Sequence, residues 1–406
     1  MSKNNRSVPE GTRDIIFSEA RLERDISERL AEVFEAAGFS EIRTPAVEYY
    51  DVFDYPGQAI SQDEMYKLTD SSGNLIVMRA DNTTPVARIA ATRLQSERLP
   101  LMIRYCQNVW RISRGYSGRR SEILQSGAEL IGAGGMKGDL ICLSLALDAL
   151  RSLGAEYKLE LGCVGYYDAL IRSLPLTDEE KSEVRRYVDA KNTVKLAAIG
   201  RKLRGSGTAE GFDRIRRLPL LYGGGEIFKE AEALAHDNEG ALGALGYLRG
   251  LYDALCSAGF GDRVIIDLGM VHSIDYYTGT LFAGYIEGAG EPVLRGGRYD
   301  NLIDNFGREN IPAIGFAINV SLAADALRSS ADAEAAPDVI IHFGGEDIKE
   351  ALKQADMLRR DGLCAALSCF DALAQTIDFA RERGIKKAII IENGDARTVE
   401  VGKEAE

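Results

Sequence analysis

Residues 101–113, LMIRYCQNVWRIS, are followed closely by a second apolar run at residues 121–131, SEILQSGAELI. Both runs have the length and the aromatic and aliphatic content that are typical of strands, and residues 75–79 form a third candidate upstream. No helical pattern stands out between the candidates, which favours an antiparallel sheet over a doubly wound parallel one. We therefore expect an α+β fold built around an antiparallel sheet.

Helical patterns surround these candidate strands. Apolar residues recur at helical spacing before Gly38 and again over residues 139–153, and residues 41–47 predict a strand that Pro45 interrupts. From about residue 168 to residue 258 the chain carries charged amphipathic patterns with glycine-rich breaks. We interpret this stretch as a mainly helical insertion.

The pattern beyond the insertion is mixed. Strands are predicted at residues 264–268 and 279–286, before a turn-rich stretch at 294–301 and a helix over 317–327. These elements extend the first domain to about residue 328.

The end of the chain has a different organisation. Residues 329–337 are rich in Ala, Asp and Ser, which is typical of a linker. The pattern then alternates as β-α-β-α-β, with only a short continuation at 398–401. We predict two domains: residues 1–328, which include the helical insertion at about 168–258, and a small α/β domain at residues 337–406.

Composition excludes several classes of protein. The chain has 49 Lys and Arg against 62 Asp and Glu, a net charge of −13, which disfavours a general nucleic-acid binder. No apolar run is long enough to span a membrane, and the N-terminal segment lacks the apolar core of a signal peptide. The six cysteines form no CxxC pair, so reduced thiols in the cytoplasm are expected.

The common catalytic motifs are missing as well. The sequence contains no GxxxxGK[ST], GxSxG or HExxH motif, and its three histidines lie far apart. We therefore predict no metal, no cofactor and no histidine-based triad.

One constellation of polar residues suggests a ligand site. Gln125, Gly127 and Glu129 share one face of their predicted strand, because successive side chains alternate between faces. A carboxylate and an amide beside a glycine can hold a ligand with an ammonium or imidazole donor. Asp81 and Thr83 share parity in the sequence and could complete an amino-group site. A solvated sheet face with surface salt bridges is the alternative interpretation.

Arg111, on the neighbouring candidate strand, could pair with a ligand carboxylate through two parallel hydrogen bonds. Four further segments carry information, in chain order PEGTRD at 9–14, HSIDYYTGT at 272–280, RGGRYD at 295–300 and IPAIGFA at 311–317. Together the segments resemble the histidyl-tRNA synthetase family, whose class II fold contains an antiparallel sheet. The resemblance covers nearly the whole chain.

The resemblance implies a histidine pocket. The family positions that build this pocket match seven residues here, with Asp in place of the family's Glu at position 81: Asp81, Thr83, Arg111, Gln125, Glu129, Tyr277 and Tyr299.

The sequence departs from the family at three positions that serve ATP chemistry. Ser113 stands where the family has the Glu that contacts adenine, His272 where it has the Arg at the reacting carboxylate, and Leu322 where it has an Arg that holds phosphate. Adenylation depends on positioned cations around the phosphates, so losing them is incompatible with efficient synthetase chemistry. We therefore predict a protein without catalytic activity.

Within the resemblance, a pocket that is kept while the ATP contacts are lost points to the family's paralogous branch, the regulatory subunits of ATP phosphoribosyltransferase in histidine biosynthesis. That branch implies a homodimer, a hetero-octamer with the short-form catalytic subunit, and L-histidine as the feedback effector. No tRNA binding is expected, because residues 337–406 hold 10 Lys and Arg against 14 Asp and Glu.

Two alternatives remain open at the level of sequence. The chain could be a divergent histidyl-tRNA synthetase or another class II amino-acid ligase, with Arg119, Arg120 or Arg295 replacing the missing cation. It could also be an amino-acid binding protein without a partner enzyme.

Overall fold

The computed structural model describes residues 6–55, 58, 60–112, 120–203, 208–271, 276–328 and 336–402. These residues form sixteen strands in three sheets. In chain order the strands are β1 (Ser40–Glu41), β2 (Val47–Tyr49), β3 (Lys67–Thr69), β4 (Leu75–Met78), β5 (Leu101–Trp110), β6 (Glu122–Ile131), β7 (Tyr157–Cys163), β8 (Tyr222–Gly223), β9 (Val264–Asp267), β10 (Thr280–Ile286), β11 (Leu294–Arg298), β12 (Ala313–Asn319), β13 (Val339–Phe343), β14 (Ala365–Leu367), β15 (Lys387–Glu392) and β16 (Asp395–Glu400).

Twelve α-helices accompany the strands within the same described ranges. They are α1 (Phe17–Ala36), α2 (Thr83–Ala91), α3 (Gly135–Ser152), α4 (Val164–Arg172), α5 (Asp178–Asp189), α6 (Thr193–Lys202), α7 (Ala209–Arg217), α8 (Ile227–Leu234), α9 (Glu239–Leu255), α10 (Val320–Leu327), α11 (Ile348–Arg360) and α12 (Leu373–Glu382). None of the helices in the described ranges is both long and apolar enough to cross a membrane. The chain divides into two compact units, Met1–Arg328 and Ser329–Glu406.

A nine-stranded sheet organises the first unit. Its strand order is β1-β5-β6-β12-β11-β10-β7-β9-β8, and every neighbouring pair from β5 to β7 is antiparallel. The pair β1–β5 at one end and the pair β7–β9 near the other end are parallel, and the last pair, β9–β8, is antiparallel. The expected α+β fold with an antiparallel sheet is confirmed.

Helices α1 and α3 cover one face of this sheet. Helix α3 buries an apolar stripe that includes Leu143, Leu147 and Leu150, as its helical spacing predicts. The rings of Phe34 on α1 and Phe316 on β12 meet edge to face, with centroids 5.7 Å apart. Such close packing fixes the backbone of the central strands, which carry the polar face opposite.

Three details of the sheet differ from the sequence prediction. A helix, α2, lies between β4 and β5, although the sequence suggested uninterrupted strands. The stretch at 294–301 contains β11 and is not mainly turn. The helix predicted over 317–327 begins only at Val320, because residues up to Asn319 belong to β12 and Asn319 caps the helix through its side chain.

The glycines of β11 explain why that strand resembled a turn. A Cβ on Gly296 would lie 2.5 Å from the ring of Phe282, and one on Gly297 would lie 2.6 Å from the ring of Tyr277. Glycine is needed here because neighbouring side chains cross the strand closely, and the backbone itself remains extended.

A small sheet of order β2-β4-β3 stands beside the large one. The strand predicted at 41–47 is in fact two: β1 joins the large sheet, and β2 joins the small sheet after Pro45. One face of the small sheet buries Val77. Its other face leaves large apolar side chains exposed at Val47, Tyr49 and Leu68.

A buried ion pair ties helix α3 to strand β11. Asp139 is fully buried and accepts hydrogen bonds from Arg298 Nε at 2.7 Å, Thr280 Oγ1 at 2.5 Å and the Tyr247 hydroxyl at 2.9 Å. A second guanidinium nitrogen of Arg298 also contacts the same carboxylate. The donors come from β10, β11 and α9, so one carboxylate joins the sheet to the helical region.

The second unit is a four-stranded sheet of order β14-β13-β15-β16 with helices α11 and α12. The predicted short continuation at 398–401 is a complete strand, because β16 pairs antiparallel with β15 along its whole length. Asn393 and Gly394 form the two-residue turn, both with positive φ (55° and 83°). Asn-Gly is the preferred pair for such a hairpin turn.

Candidate functional site

A carboxylate in the centre of the large sheet is surrounded by hydroxyl groups. Glu129 on β6 is 1% exposed. It accepts hydrogen bonds from Thr83 Oγ1 at 2.9 Å, the Tyr105 hydroxyl at 3.1 Å and the Tyr299 hydroxyl at 2.6 Å. Burial raises the pKa of Glu129 to about 7, although the three hydroxyl donors oppose that shift.

Glycines on neighbouring strands make this arrangement possible. Gly127 faces Tyr105 across the β5–β6 pair, and a Cβ there would lie 2.5 Å from the tyrosine ring. The space over Gly127 is therefore filled by Tyr105. Gly315 on β12 faces Glu129, and a Cβ there would lie 1.7 Å from Glu129 Oε2.

Asp81 and Thr83 do not lie on a strand with shared parity, because helix α2 begins at Thr83. Asp81 precedes the helix and accepts from the backbone N–H of Thr84 at 2.7 Å and from its hydroxyl at 2.9 Å. Burial raises the pKa of Asp81, while those hydrogen bonds and the nearby Arg111 charge lower it. The start of the helix, and not the alternation of a strand, therefore places Asp81 and Thr83 close together.

Gln125 and Arg111 lie near the ends of their strands. Gln125 Oε1 accepts a hydrogen bond from Asn82 Nδ2 at 3.2 Å. Arg111 directly follows β5, and its Nε donates to the carbonyl of Ala80 at 2.8 Å. Both side chains are therefore held by the segment that precedes α2.

Aromatic rings form the opposite wall. Tyr276 and Tyr277 contact each other with ring centroids 4.7 Å apart, and Tyr276 meets Tyr299 edge to face at 6.0 Å. Burial raises the pKa of Tyr277 and of Tyr299, so both hydroxyls remain protonated donors.

These residues enclose a cavity of about 580 Å³. Six of the seven predicted pocket residues line it: Asp81, Thr83, Arg111, Gln125, Tyr277 and Tyr299. Glu129, the seventh, lies behind Thr83, Tyr299 and Gly315 and reaches the cavity through the hydroxyls bound to it. The cavity can therefore hold a small ligand that presents amine, imidazole and carboxylate groups.

The outer part of the cavity carries charges of both signs. Arg120 lines it but is paired with Glu19 at 3.4 Å, Glu23 at 3.0 Å and Asp325 at 2.7 Å. Arg295 and Leu322 line the same part. Leu322 is thus a neutral residue of the cavity wall, and the nearby Arg120 is held by carboxylates.

Three positions discussed from the sequence, Ser113, Arg119 and His272, lie outside the described residues. Where the chain is described, no group of three or more His, Cys, Asp or Glu side chains could hold a metal ion. Sequence reasoning missed Tyr105, Asn82 and Gly315 as parts of the site. The sequence offers little indication of these three residues, because each belongs to a segment other than β6 and meets the site only through the way the segments pair.

The raised pKa of Glu129 predicts a pH-dependent stability. A carboxylate whose pKa is raised from 4.5 to about 7 in the folded state destabilises the fold as it ionises, so stability falls as pH rises from 4.5 to 7. Between pH 5 and pH 8 this effect is on the order of 2–3 kcal/mol. We expect Glu129→Gln to remove that part of the pH dependence, measured by urea unfolding at both pH values. Parallel pH profiles of the two proteins would contradict it.

Comparison with known proteins points to one family. The family model for histidyl-tRNA synthetase matches residues 11–322. A Clostridium botulinum (strain 657 / Type Ba4) protein named ATP phosphoribosyltransferase regulatory subunit is 38% identical over 388 residues, covering 95% of this chain and 92% of that protein. A Bacillus cereus (strain G9842) protein of the same name is 36% identical over 396 residues, covering 97% and 93% of the two chains.

Solved structures of the same family are similar to this chain. The Bacillus halodurans C structure, described as an ATP phosphoribosyltransferase regulatory subunit/histidyl-tRNA synthetase, has a TM-score of 0.86 and 30% identity, covering 96% of this chain and 99% of that one. Histidyl-tRNA synthetase from Nostoc sp. PCC 7120 has a TM-score of 0.79 at 21% identity, covering 98% and 97% of the two chains, which shows the shared fold. The chain belongs to the histidyl-tRNA synthetase family and, within it, to the ATP phosphoribosyltransferase regulatory subunits.

Proposed function

We propose that the chain is a non-catalytic subunit that assembles with the catalytic subunit of ATP phosphoribosyltransferase and conveys feedback inhibition by L-histidine. The observation that carries this proposal is the buried Glu129 with its three hydroxyl donors behind a cavity of about 580 Å³. A free amino acid with an imidazole ring matches the donor and acceptor groups of that site and is small enough to enter the cavity.

The expected contacts follow from the donor and acceptor groups. The imidazole lies near Gln125 and Glu129, with Tyr277 and Tyr299 as walls. Glu129 can accept one more N–H, since a carboxylate has about four acceptor positions and three are used. The amino group of histidine binds Asp81 and Thr83. Its hydrogen bond to the buried carboxylate of Asp81 is charge-assisted. The carboxylate of histidine pairs with Arg111.

The outer cavity supports a role without ATP chemistry. Leu322 offers no charge, and Arg120 already contacts three carboxylates. Phosphoryl and adenylyl transfer depend on positioned cations, and a cation already neutralised by its neighbours contributes little to them. The proposal also includes Ser113 and His272, which stand at the positions of the family's other ATP-site residues.

The test is to mix this chain with the short-form catalytic subunit and measure turnover of ATP and phosphoribosyl pyrophosphate, with and without histidine. We expect turnover to rise on mixing and histidine to suppress it. Glu129→Gln should weaken inhibition by about tenfold or more, because a hydrogen bond to a charged group is lost, and should leave the complex intact.

Glu160→Gln is the matched control, since Glu160 is also buried on the large sheet and bonded to a tyrosine, Tyr285, but lies outside the cavity. Equal inhibition of the wild type and Glu129→Gln would contradict the pocket assignment. If mixing has no effect and the chain alone catalyses histidine-dependent exchange of pyrophosphate into ATP, the ligase alternative is favoured, with Arg295 in the cavity as its cation.

The small sheet supports the homodimer that belongs to this proposal. Val47, Tyr49 and Leu68 lie on one exposed face and are 45%, 58% and 45% exposed in a single chain. Ile76 pairs with both Tyr49 and Leu68 and therefore shares that face. A self-complementary apolar surface of this kind fits a two-fold dimer, the building block of the hetero-octamer.

We expect Tyr49→Glu to convert the dimer to a monomer, because the two-fold axis places a buried charge near its own copy. Light scattering during size exclusion should then give the mass of one 44.3 kDa chain. Ile348→Glu, on the exposed surface of the second unit, is the control and should leave the mass unchanged. A dimeric Tyr49→Glu variant would place the dimer contact elsewhere.

A further inference from the structure

The positive charge of this acidic chain is concentrated in one segment. Residues 191–217 contain eight Lys or Arg and two Asp or Glu, a net charge of +6. Because the whole chain carries −13, the remaining residues carry −19. The segment includes helices α6 and α7, which pack against each other in the helical region.

Half of these eight cations are neutralised by the chain's own carboxylates. The pairs are Lys191–Asp267 at 2.7 Å, Arg216–Asp213 at 3.3 Å, Arg214–Asp237 and Arg217–Glu230. In contrast, no carboxylate of the described residues pairs with Lys195, Arg201 or Lys202, which are all exposed on α6. The eighth cation, Arg204, lies outside the described residues, and the free charge of the other seven lies on α6.

The three free cations share their surface with apolar side chains. Lys195 and Lys202 are seven residues apart, as are Val194 and Arg201, so the four lie on neighbouring rows of the outward face of α6. Val194 is 75% exposed, although its neighbour Leu196 is completely buried. Among the large hydrophobic side chains of the described residues, Val194 is the most exposed.

A second apolar group lies near the start of α6. Leu220, which ends the short helical turn after α7, is 70% exposed, and Tyr222 on the edge strand β8 is 45% exposed. The Nζ atom of Lys191, just before α6, lies 4.8 Å from the centre of the Tyr222 ring. We define the α6 patch as Val194, Lys195, Arg201, Lys202, Leu220 and Tyr222.

We propose that the α6 patch is the docking surface for an acidic protein surface on the catalytic subunit, an inference that rests on the proposed function. Aliphatic and aromatic anchors with a charged rim are the usual composition of a protein interface. Since the rest of the chain is strongly negative, an acidic partner meets attraction here and repulsion elsewhere.

Two other occupants fit less well. If two copies of the chain met through their α6 patches, like charges would come together. If the α6 patch of one copy met a different surface of the next, the contact would repeat and form open chains of molecules. A nucleic acid would need many phosphate contacts, commonly six to ten, whereas α6 offers three free cations. The one aromatic ring of the patch, Tyr222, is already covered by Lys191.

The experiment measures binding of the full-length chain to the catalytic subunit by surface plasmon resonance at two salt concentrations. The triple variant Lys195→Glu, Arg201→Glu, Lys202→Glu should raise Kd by about 100-fold, mainly through slower association. Leu220→Ala should raise Kd by about tenfold at both salt concentrations, because it removes apolar contact and no charge.

The matched control reverses three exposed charges in the second unit, with Lys349→Glu, Lys353→Glu and Arg360→Glu on α11. This control should bind the catalytic subunit like the wild type. Histidine binding by the α6 triple variant should equal that of the wild type, which shows that the variant is folded.

Three outcomes would overturn the inference. If the wild type fails to bind the catalytic subunit, the proposed function fails and the inference falls with it. If the wild type binds and both α6-patch variants bind equally well, the docking surface lies elsewhere while the proposed function stands. If the wild type binds a labelled 20-nucleotide RNA and the triple variant does not, the patch serves nucleic acid instead.

Discussion

Replacing Asp139 with alanine should lower the free energy of unfolding by about 3–5 kcal/mol. The carboxylate is fully buried and is held by Arg298 through two guanidinium nitrogens, with further hydrogen bonds from Thr280 and Tyr247. Among the described residues, its removal leaves the buried Arg298 charge opposed only by Asp300, which is partly exposed. Urea denaturation followed by far-UV circular dichroism would measure the change.

The control for this variant lies on the same helix. Asp148→Ala removes the carboxylate of an exposed pair with Arg151 and should cost less than about 1 kcal/mol. A double variant, Asp139→Leu with Arg298→Met, should recover much of the lost stability, because no charge remains buried. An Asp139→Ala variant as stable as Asp148→Ala would show that Arg298 finds water or another partner.

Gly315→Ala should abolish most histidine binding, with a loss of roughly 100-fold. The added Cβ would lie 1.7 Å from Glu129 Oε2 and 2.7 Å from the carbonyl oxygen of Ala128. The strand cannot move away easily, because β12 is paired on both sides with β6 and β11. Glu129 must therefore leave its position and lose the hydrogen bond from Tyr299.

Isothermal titration with histidine would measure this effect under the proposed function. Gly243→Ala is the control, since a Cβ at that position on helix α9 has no neighbour within 4 Å and alanine favours a helix. Both variants should unfold cooperatively. Undiminished affinity in Gly315→Ala would mean that histidine binds without Glu129.

Local rules were enough to predict part of the site. The alternation of side chains along β6 placed Gln125 and Glu129 on the face that borders the cavity, because strand periodicity does not depend on the rest of the fold. The same rule failed for Asp81 and Thr83. There a helix starts within the segment, and Asp81 supplies the hydrogen bonds of its first turn.

Contacts between distant segments could not be predicted in this way. Tyr105 fills the space over Gly127 only because β5 and β6 pair in one particular register, with these two residues opposite each other. The same holds for Gly315 beside Glu129. By contrast, the hairpin before β16 had a local signal, Asn393-Gly394, that the sequence interpretation overlooked.

The three hydroxyls around Glu129 have a consequence for how quickly the site can respond. They come from a helix, a strand and the residue after a strand, and they take the role that solvent plays around an exposed carboxylate. A hydroxyl hydrogen changes its partner by turning about a single bond. An incoming N–H group can therefore replace one of these donors while the backbone stays in place. The hydrogen bonds at Glu129 can therefore rearrange on the time scale of side-chain rotation, without a shift of β5, β6 or β11.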